Sequence, residues 1–138
     1  DVRNTPVELQ EIKYPVLVET HALRPDSGGT GKHRGGLGVE LTYQLPQKCK
    51  ANINLDRTRD PPWGLHGGGS GAVNVCTIHR ADGTAFNIKK ATEIEIAAGD
   101  KVVFLTAGGG GYGDPKQRAP EAIAQDEAAG VVTGKGGT

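Results

Sequence analysis

The sequence predicts an all-β domain, sandwich- or barrel-like, with about seven to eight short strands and one C-terminal helix. Three observations carry that reading. Apolar and polar residues alternate with period two in segment after segment, the pattern of half-buried strands. Gly, Pro and Asp-Gly pairs punctuate those segments at short intervals. Glycine makes up 22 of the 138 residues and gathers in three clusters, Gly28 to Gly38, Gly64 to Gly71 and Gly108 to Gly113. A chain of this length is long enough for one domain with its own core.

The elements follow in order. Tyr14 to Leu23 reads as the first strand, with Val16 and Val18 set against Leu17, Glu19 and His21. In Val39 to Leu45, Val39, Leu41, Tyr43 and Leu45 alternate with Glu40, Thr42 and Gln44. Cys49 to Leu55 is the third strand; Cys49 shares a face with Ala51, Ile53 and Leu55 and reads as a small core hydrophobe. Val73 to His79 is the fourth. Asp82-Gly83 marks a hairpin turn into a short strand over Thr84 to Ile88. Thr92 to Ala97 places Ile94 and Ile96 inward and Glu93 and Glu95 outward. Ala98-Gly99-Asp100 then turns the chain into Lys101 to Thr106, whose Val102-Val103-Phe104-Leu105 run predicts burial on both faces. The one helical stretch is Pro120 to Ala129: Pro120 suits a first turn, Glu121 the positive N-terminus and Gly130 the stop. Its apolar face is thin, so it is expected on the surface. This divides the chain into a glycine-loop β domain, 1–118, and a C-terminal helix with a flexible tail, 119–138.

Composition excludes several classes of function. Formal net charge is zero and the pI is about 7.1, so there is no basic footprint for nucleic acid or an acidic membrane. No apolar run approaches the roughly 20 residues that span a bilayer, and no secretory signal is visible. Cys49 and Cys76 are the only cysteines, too few for a disulfide framework; a cytoplasmic setting with reduced thiols is expected. The chain has no Met, which suggests a segment of a longer polypeptide or a processed product, with removal of an initiator Met as the simpler alternative.

The segment PDSGGTGKHRGG, Pro25 to Gly36, invites comparison with a phosphate-binding loop. It fails the comparison. Asp26 replaces the first glycine of G-x-x-x-x-G-K-[ST], and His33 replaces the hydroxyl that holds magnesium. A helix must follow such a loop to present its positive N-terminus, whereas a period-two strand follows here. The glycine clusters are read first as turns, and second as places where backbone comes close to a ligand or another chain. Trp63, next to Pro61 and Pro62, is expected to pack as a lid over a core edge.

The polar residues give no catalytic constellation. His21, His33, His66 and His79 lack ligand spacing to one another, and no paired-cysteine pattern exists. Ser27 and Ser70 lie in glycine loops without the G-x-S-x-G elbow. The run Asp56-Arg57-Thr58-Arg59-Asp60 reads as a self-neutralising corner; alternatively Arg57 or Arg59 clamps a carboxylate or pairs at a subunit interface. Asp26, at a strand end, is expected to accept backbone N–H bonds across the glycine loop. Lys32 and Arg34 offer at most weak, salt-screened attraction for phosphate.

Three segments in register carry a family resemblance. NTPVELQEIKYPV leads into LRPDSGGTGKHRGGLGVE; DRTRDPPWGLHGGGSG follows; AAGDKVVFLTAGGGGYGDP comes last. Together they resemble the C-terminal region of the hydantoinase B family, over about residues 4–130. That family includes B-type subunits of ATP-dependent N-methylhydantoinases, the matching half of 5-oxoprolinase, and related subunits of acetone and acetophenone carboxylases. His33 stands where an aromatic is common in the family, and Gly134 to Thr138 replaces a second helical segment.

The resemblance implies a division of labour. A partner A-type subunit uses ATP to phosphorylate an amide oxygen or enolate, and the B-type half completes hydrolysis or carboxylation at a metal-containing site. The family's metal-binding residues lie in regions preceding this segment, so no catalytic residue and no metal ligand is assigned here. ATP, magnesium and a divalent metal are expected in the complete complex, none of them in this chain. The expected partners are the remainder of the B-type subunit and the A-type ATP-binding subunit, with no nucleic acid and no membrane. The candidates for structural or interface roles are Asp26, Arg34, Arg57, Arg59, Trp63, His66, Tyr112 and Asp114. The expected function is that of a C-terminal β domain in an ATP-dependent cyclic-amide hydrolase. The alternatives are the same domain in a ketone carboxylase, or a free-standing binding or scaffold module.

Overall fold

The computed structural model describes residues 4–133; the tail expected at 134–138 lies outside the described residues. Seven strands form two antiparallel sheets. The strands are β1 (Leu17–Leu23), β2 (Val39–Gln44), β3 (Cys49–Asn54), β4 (Val75–His79), β5 (Ala85–Asn87), β6 (Lys90–Ile96) and β7 (Lys101–Leu105). The larger sheet has the order β1-β2-β7-β4-β5, and β3 with β6 makes a two-stranded ribbon. This is the expected all-β architecture, in its sandwich form.

The strands form where period-two alternation lets one face be buried. Cys76 and Ile78 of β4 and Val102 of β7 meet Ile53 and Ile96 of the ribbon in an aliphatic core that Leu45 completes. Ile94, Ala51 and Cys49 pack against it from the ribbon, so Cys49 is the core hydrophobe its alternation predicts. Burial pushes the Cys76 thiol up to about 11, which leaves it protonated and inert. The ribbon's outer face is polar, with Lys50 paired to Glu93 and Lys48 to Glu95. Strand β7 is central and none of its residues is exposed, as its apolar run requires.

Two turns carry the expected chemistry. Gly83 has φ 88°, and the Asp82 carboxylate accepts from the Thr84 N–H at 2.8 Å. Gly99 has φ 87°, and beside it the buried Asp100 accepts from Arg80 Nη1 at 2.6 Å, Ala97 N–H at 2.8 Å and Ala81 N–H at 3.0 Å. One carboxylate thereby fixes both the β4–β5 hairpin and the β6–β7 turn.

The helices differ in part from expectation. The helix read over Pro120 to Ala129 is α2 (Pro120–Ala128); it has no buried residue, and Gly130 at φ 66° follows it. A second helix, α1 (Val7–Lys13), was not anticipated. It is short, has no side-chain cap and buries no residue, so it lacks both the periodic and the capping signal. What holds it is tertiary: Glu11 Oε1 accepts the Val18 N–H at 2.9 Å, and Gln10 Oε1 accepts the Tyr43 hydroxyl at 2.9 Å. Strand β1 therefore starts at Leu17 rather than Tyr14, because Tyr14 is the C-cap of α1.

Candidate interface on a glycine stack

The three glycine clusters converge. Segments 27–31, 33–38, 62–65, 67–72 and 107–113 run past one another in direct backbone contact, joined by N–H to carbonyl bonds. Gly29 N–H donates to Gly109 O at 2.8 Å, Gly69 N–H to Thr30 O at 2.7 Å, and Gly111 N–H to Gly69 O at 2.9 Å. His33 and Tyr112 exchange both backbone bonds at 2.9 Å.

The approach is closer than any side chain permits. A Cβ on Gly108 would lie 1.8 Å from the Ser27 carbonyl, on Gly110 1.9 Å from Trp63 O, on Gly111 1.9 Å from Thr30 O, and on Gly35 2.0 Å from Gly109 O. Among the glycines of the clusters, positive φ is confined to Gly67 and Gly113. The reading of these glycines mainly as turns is therefore corrected: they allow close backbone approach, and the partner is the chain's own backbone rather than a ligand. The same pairing bears on the phosphate-loop comparison. Gly29, Lys32, His33 and Gly35 direct their N–H groups at carbonyls of the stack, and a strand, β2, follows the loop.

Side chains at the rim lock the stack in place. Ser27, 1% exposed, donates its hydroxyl to Arg24 O at 2.6 Å and accepts the Gly38 N–H at 2.8 Å. Arg24 Nη1 reaches Val73 O at 2.9 Å and Thr106 O at 3.0 Å, tying the first cluster to the ends of β4 and β7. Ser27, not Asp26, spans the glycine loop. Asp26 faces the other way: with φ 56° it accepts the Thr133 N–H at 2.9 Å and the Thr133 hydroxyl, and its own N–H donates to Val131 O. Those bonds from Thr133 hold its carboxyl below the usual range. The reason is geometric: the left-handed backbone at Asp26 swings its side chain toward the segment after α2.

Arg34 belongs to a partly buried ion network. Its guanidinium grips Asp126 with two bonds, Nε to Oδ2 at 3.2 Å and Nη2 to Oδ1 at 3.3 Å. Arg118 adds a third from Nη2 at 2.6 Å. The hydrogen bond from Arg34 does most to hold the Asp126 carboxyl below its usual range; burial opposes it, and the Arg118 hydrogen bond and the charges of both arginines add to the lowering. Arg34 and Arg118 also donate to Gly35 O and Lys32 O, so Asp126 fastens α2 to the back of the stack. Sequence reasoning missed Asp126 and Arg118, whose pairing with residues some ninety positions away leaves no local signal.

The remaining candidates occupy an exposed rim. Trp63 is 68% exposed and lies against the Arg57 guanidinium at 5.8 Å rather than over the core. The lid reading fails because the Trp63 carbonyl packs on Gly110 and the ring is left outside the stack. Arg57 has φ 47°, and its carbonyl accepts the Asn74 N–H at 3.0 Å. Arg59 is exposed and makes no ion pair among the described residues, and the corner does not neutralise itself internally: Asp56 approaches Lys90 at 3.9 Å. His66 (φ 51°) and Gly67 (φ 90°) form a turn closed by Gly68 N–H to Leu65 O, with positive φ at both central residues. The His66 ring meets Tyr112 edge-on at 5.0 Å, and His33 lies 6.2 Å from the same ring. Asp114 caps a 3-10 turn, Pro115–Gln117, by accepting the Lys116 N–H at 2.9 Å. Among the described residues no three His, Cys, Asp or Glu side chains are grouped to hold a metal ion, and no helix is long and apolar enough to cross a membrane.

The model of the family described as hydantoinase B/oxoprolinase matches residues 1–115. The chain belongs to the hydantoinase B/oxoprolinase family. Within it, the chain is 40% identical over 123 residues to an uncharacterized protein of Methanocaldococcus jannaschii, covering 89% of this chain and 22% of that one. It is 33% identical over 135 residues to the caprolactamase subunit beta of Pseudomonas jessenii, covering 92% and 23%. It is 36% identical over 111 residues to the 5-oxoprolinase of Saccharomyces cerevisiae, covering 79% and 9%. The fold matches the crystal structure of the ATP-dependent caprolactamase from P. jessenii with TM-score 0.80 at 28% identity, covering 92% of this chain and 23% of that one. It also matches a nucleotide-free acetone carboxylase with TM-score 0.78, covering 93% and 21%; at 23% identity this is a likeness of fold. The chain thus spans between 9% and 23% of the length of these relatives.

Proposed function

We propose that this hydantoinase B/oxoprolinase domain is the C-terminal β domain of an ATP-dependent cyclic-amide hydrolase, and that its role is structural and interfacial. The observation that carries the reading is the closed glycine stack. Its backbone groups are directed at one another, and what it presents outward is a rim: Trp63 on Arg57, and Tyr112 flanked by His33 and His66. Such a stack is rigid, because each Cβ-less contact fixes two backbones at once, and a rigid rim suits the seating of a neighbouring domain or subunit.

The chemistry then lies elsewhere in the complex. An amide oxygen is a poor leaving group and a phosphate a good one, so an ATP-binding partner activates the ring and the B-type subunit completes its opening. The remainder of the B-type subunit and the ATP-binding subunit are the partners this requires. The reading extends to cytoplasmic localisation and to magnesium and a divalent metal held outside this domain.

The test is reconstitution. The subunit carrying this domain, purified with its ATP-binding partner, is supplied in turn with 5-oxoproline, N-methylhydantoin, caprolactam, and acetone with bicarbonate. Ring opening coupled to ATP hydrolysis, lost or uncoupled when Trp63→Ala and Arg57→Ala are combined, is the expected result. Carboxylation of acetone would overturn the hydrolase assignment. Magnesium-dependent ATP binding by the 138-residue chain alone, abolished by Lys32→Ala, would overturn the structural one.

A further inference from the structure

The sandwich is unequal: a five-stranded sheet faces a ribbon of only two strands. Beside the ribbon the core is open. A cleft of about 330 Å³ runs between β3 and α1, over a floor formed by Tyr43, Leu45, Val102 and Phe104. Its lining is predominantly apolar, and Gln10 and Tyr14 bound it on the α1 side.

The other wall is the edge of a strand. The consecutive residues Cys49, Lys50, Ala51, Asn52 and Ile53 all line the cleft. Side chains of a strand alternate between faces, so a wall containing both parities is the strand's edge. Among the described residues β3 pairs only with β6, and its second edge offers N–H and C=O groups that no described strand takes up. A row of such groups above an apolar floor is the receptor for an added strand: main-chain bonds supply affinity and alternate side chains enter the floor. Edges of this kind are normally shielded by charge, Pro or a covering element. Here the one charged side chain in the wall, Lys50, turns outward to Glu93.

We propose that the cleft between β3 and α1 receives an extended, alternately apolar segment of the same subunit, which adds to the free edge of β3 as a further ribbon strand. The proposal rests on the reading of this chain as one domain of a longer subunit. The relatives supply the necessary polypeptide: the chain corresponds to 22% of the archaeal relative and 23% of the caprolactamase subunit. A segment of the same subunit is held at high effective concentration, which favours it over a second copy.

Cys49 provides a native probe. It lines the cleft and is partly buried, whereas Cys76 is fully buried. Iodoacetamide labelling of Cys49 and amide exchange over residues 49–53 are compared in the 138-residue chain and in the full-length subunit. The expected result is labelling slower by about tenfold or more, with matching amide protection, in the full-length subunit only. Equal labelling and exchange in both would overturn the proposal. So would concentration-dependent dimerisation of the 138-residue chain that protects β3, which assigns the edge to a second copy, or a native protein no longer than this chain. Neither readout depends on which substrate the complex turns over, so a failed hydrolase assay leaves this test intact. A failed protection test likewise leaves the hydrolase reading standing.

Discussion

The sandwich and the glycine stack are built on opposite rules. In the sandwich, side chains fill space: Ile78 at 0% exposure and Ile96 at 1% are held by contact with other side chains. In the stack, absent side chains make the space, and carbonyls sit where Cβ atoms would otherwise be. A core of side chains tolerates small changes of shape, because rotamers adjust. A contact between backbones has no rotamer to adjust. The stack is therefore the less forgiving half of the molecule, although it buries few apolar side chains.

The sharpest way to break the comparison is Gly108→Ala. The new methyl group would meet the Ser27 carbonyl at 1.8 Å, so the expected cost exceeds about 3 kcal/mol, beyond ordinary overpacking. Urea unfolding followed by far-UV circular dichroism measures it. Retention of wild-type stability would show that the stack yields after all.

Asp100→Ala is next, and it strikes the sandwich through its one buried carboxylate. It removes the ionic partner of Arg80, which keeps its bond to Glu95 O, and orphans two backbone N–H groups, with an expected cost of about 2–3 kcal/mol. It also changes the pH dependence. Burial pushes the Asp100 carboxyl up, but bonds from Arg80, Ala97 and Ala81 outweigh burial and hold it below its usual value. Its stabilisation is complete above the unfolded value of about 3.9 and is lost as pH falls through the lower folded value. Acid unfolding should therefore steepen below about pH 4 in the wild type and flatten in the variant.

Asp126→Asn is the equivalent for the stack and is expected to cost less, about 1–2 kcal/mol, because the ion network is only partly buried. Its carboxyl is likewise held low, so this contribution also fades as pH falls below about 4. Amide exchange should locate the loss at α2 and the stack, with the β4–β7 pairing unchanged. Uniform loss across both regions would mean that the two are not separate packing units.

The smallest effect is expected from Gly36→Ala. Nothing lies within 4 Å of its would-be Cβ and its φ is not positive. Stability should change by no more than about 0.5 kcal/mol, because the added methyl meets nothing and restricts the unfolded chain slightly. Set beside Gly108→Ala, it separates contact from composition: the same substitution in the same glycine-rich sequence is nearly neutral at one position and severe at the other.

The strands were legible in the chain itself. Period-two alternation at Val39 to Leu45 and at Ile94 and Ile96 is a local signal, and burying one face of a strand needs no knowledge of the partner. The turns at Gly83 and Gly99 and the stop at Gly130 were legible for the same reason, since φ belongs to a single residue. The glycine clusters could be seen but not interpreted, because what a glycine avoids is decided by a carbonyl far away in sequence: Ser27 for Gly108, Trp63 for Gly110. Asp126 was invisible among the exposed residues of a surface helix until folding brought Arg34 to it, and α1 until Glu11 and Gln10 met Val18 and Tyr43. The sequence by itself determined the strands, the turns and, through its ordered glycine motifs, the family. Only tertiary structure decided which backbones touch, which arginines share a carboxylate and where the sandwich is left open, because those depend on contacts between distant segments that no local pattern encodes.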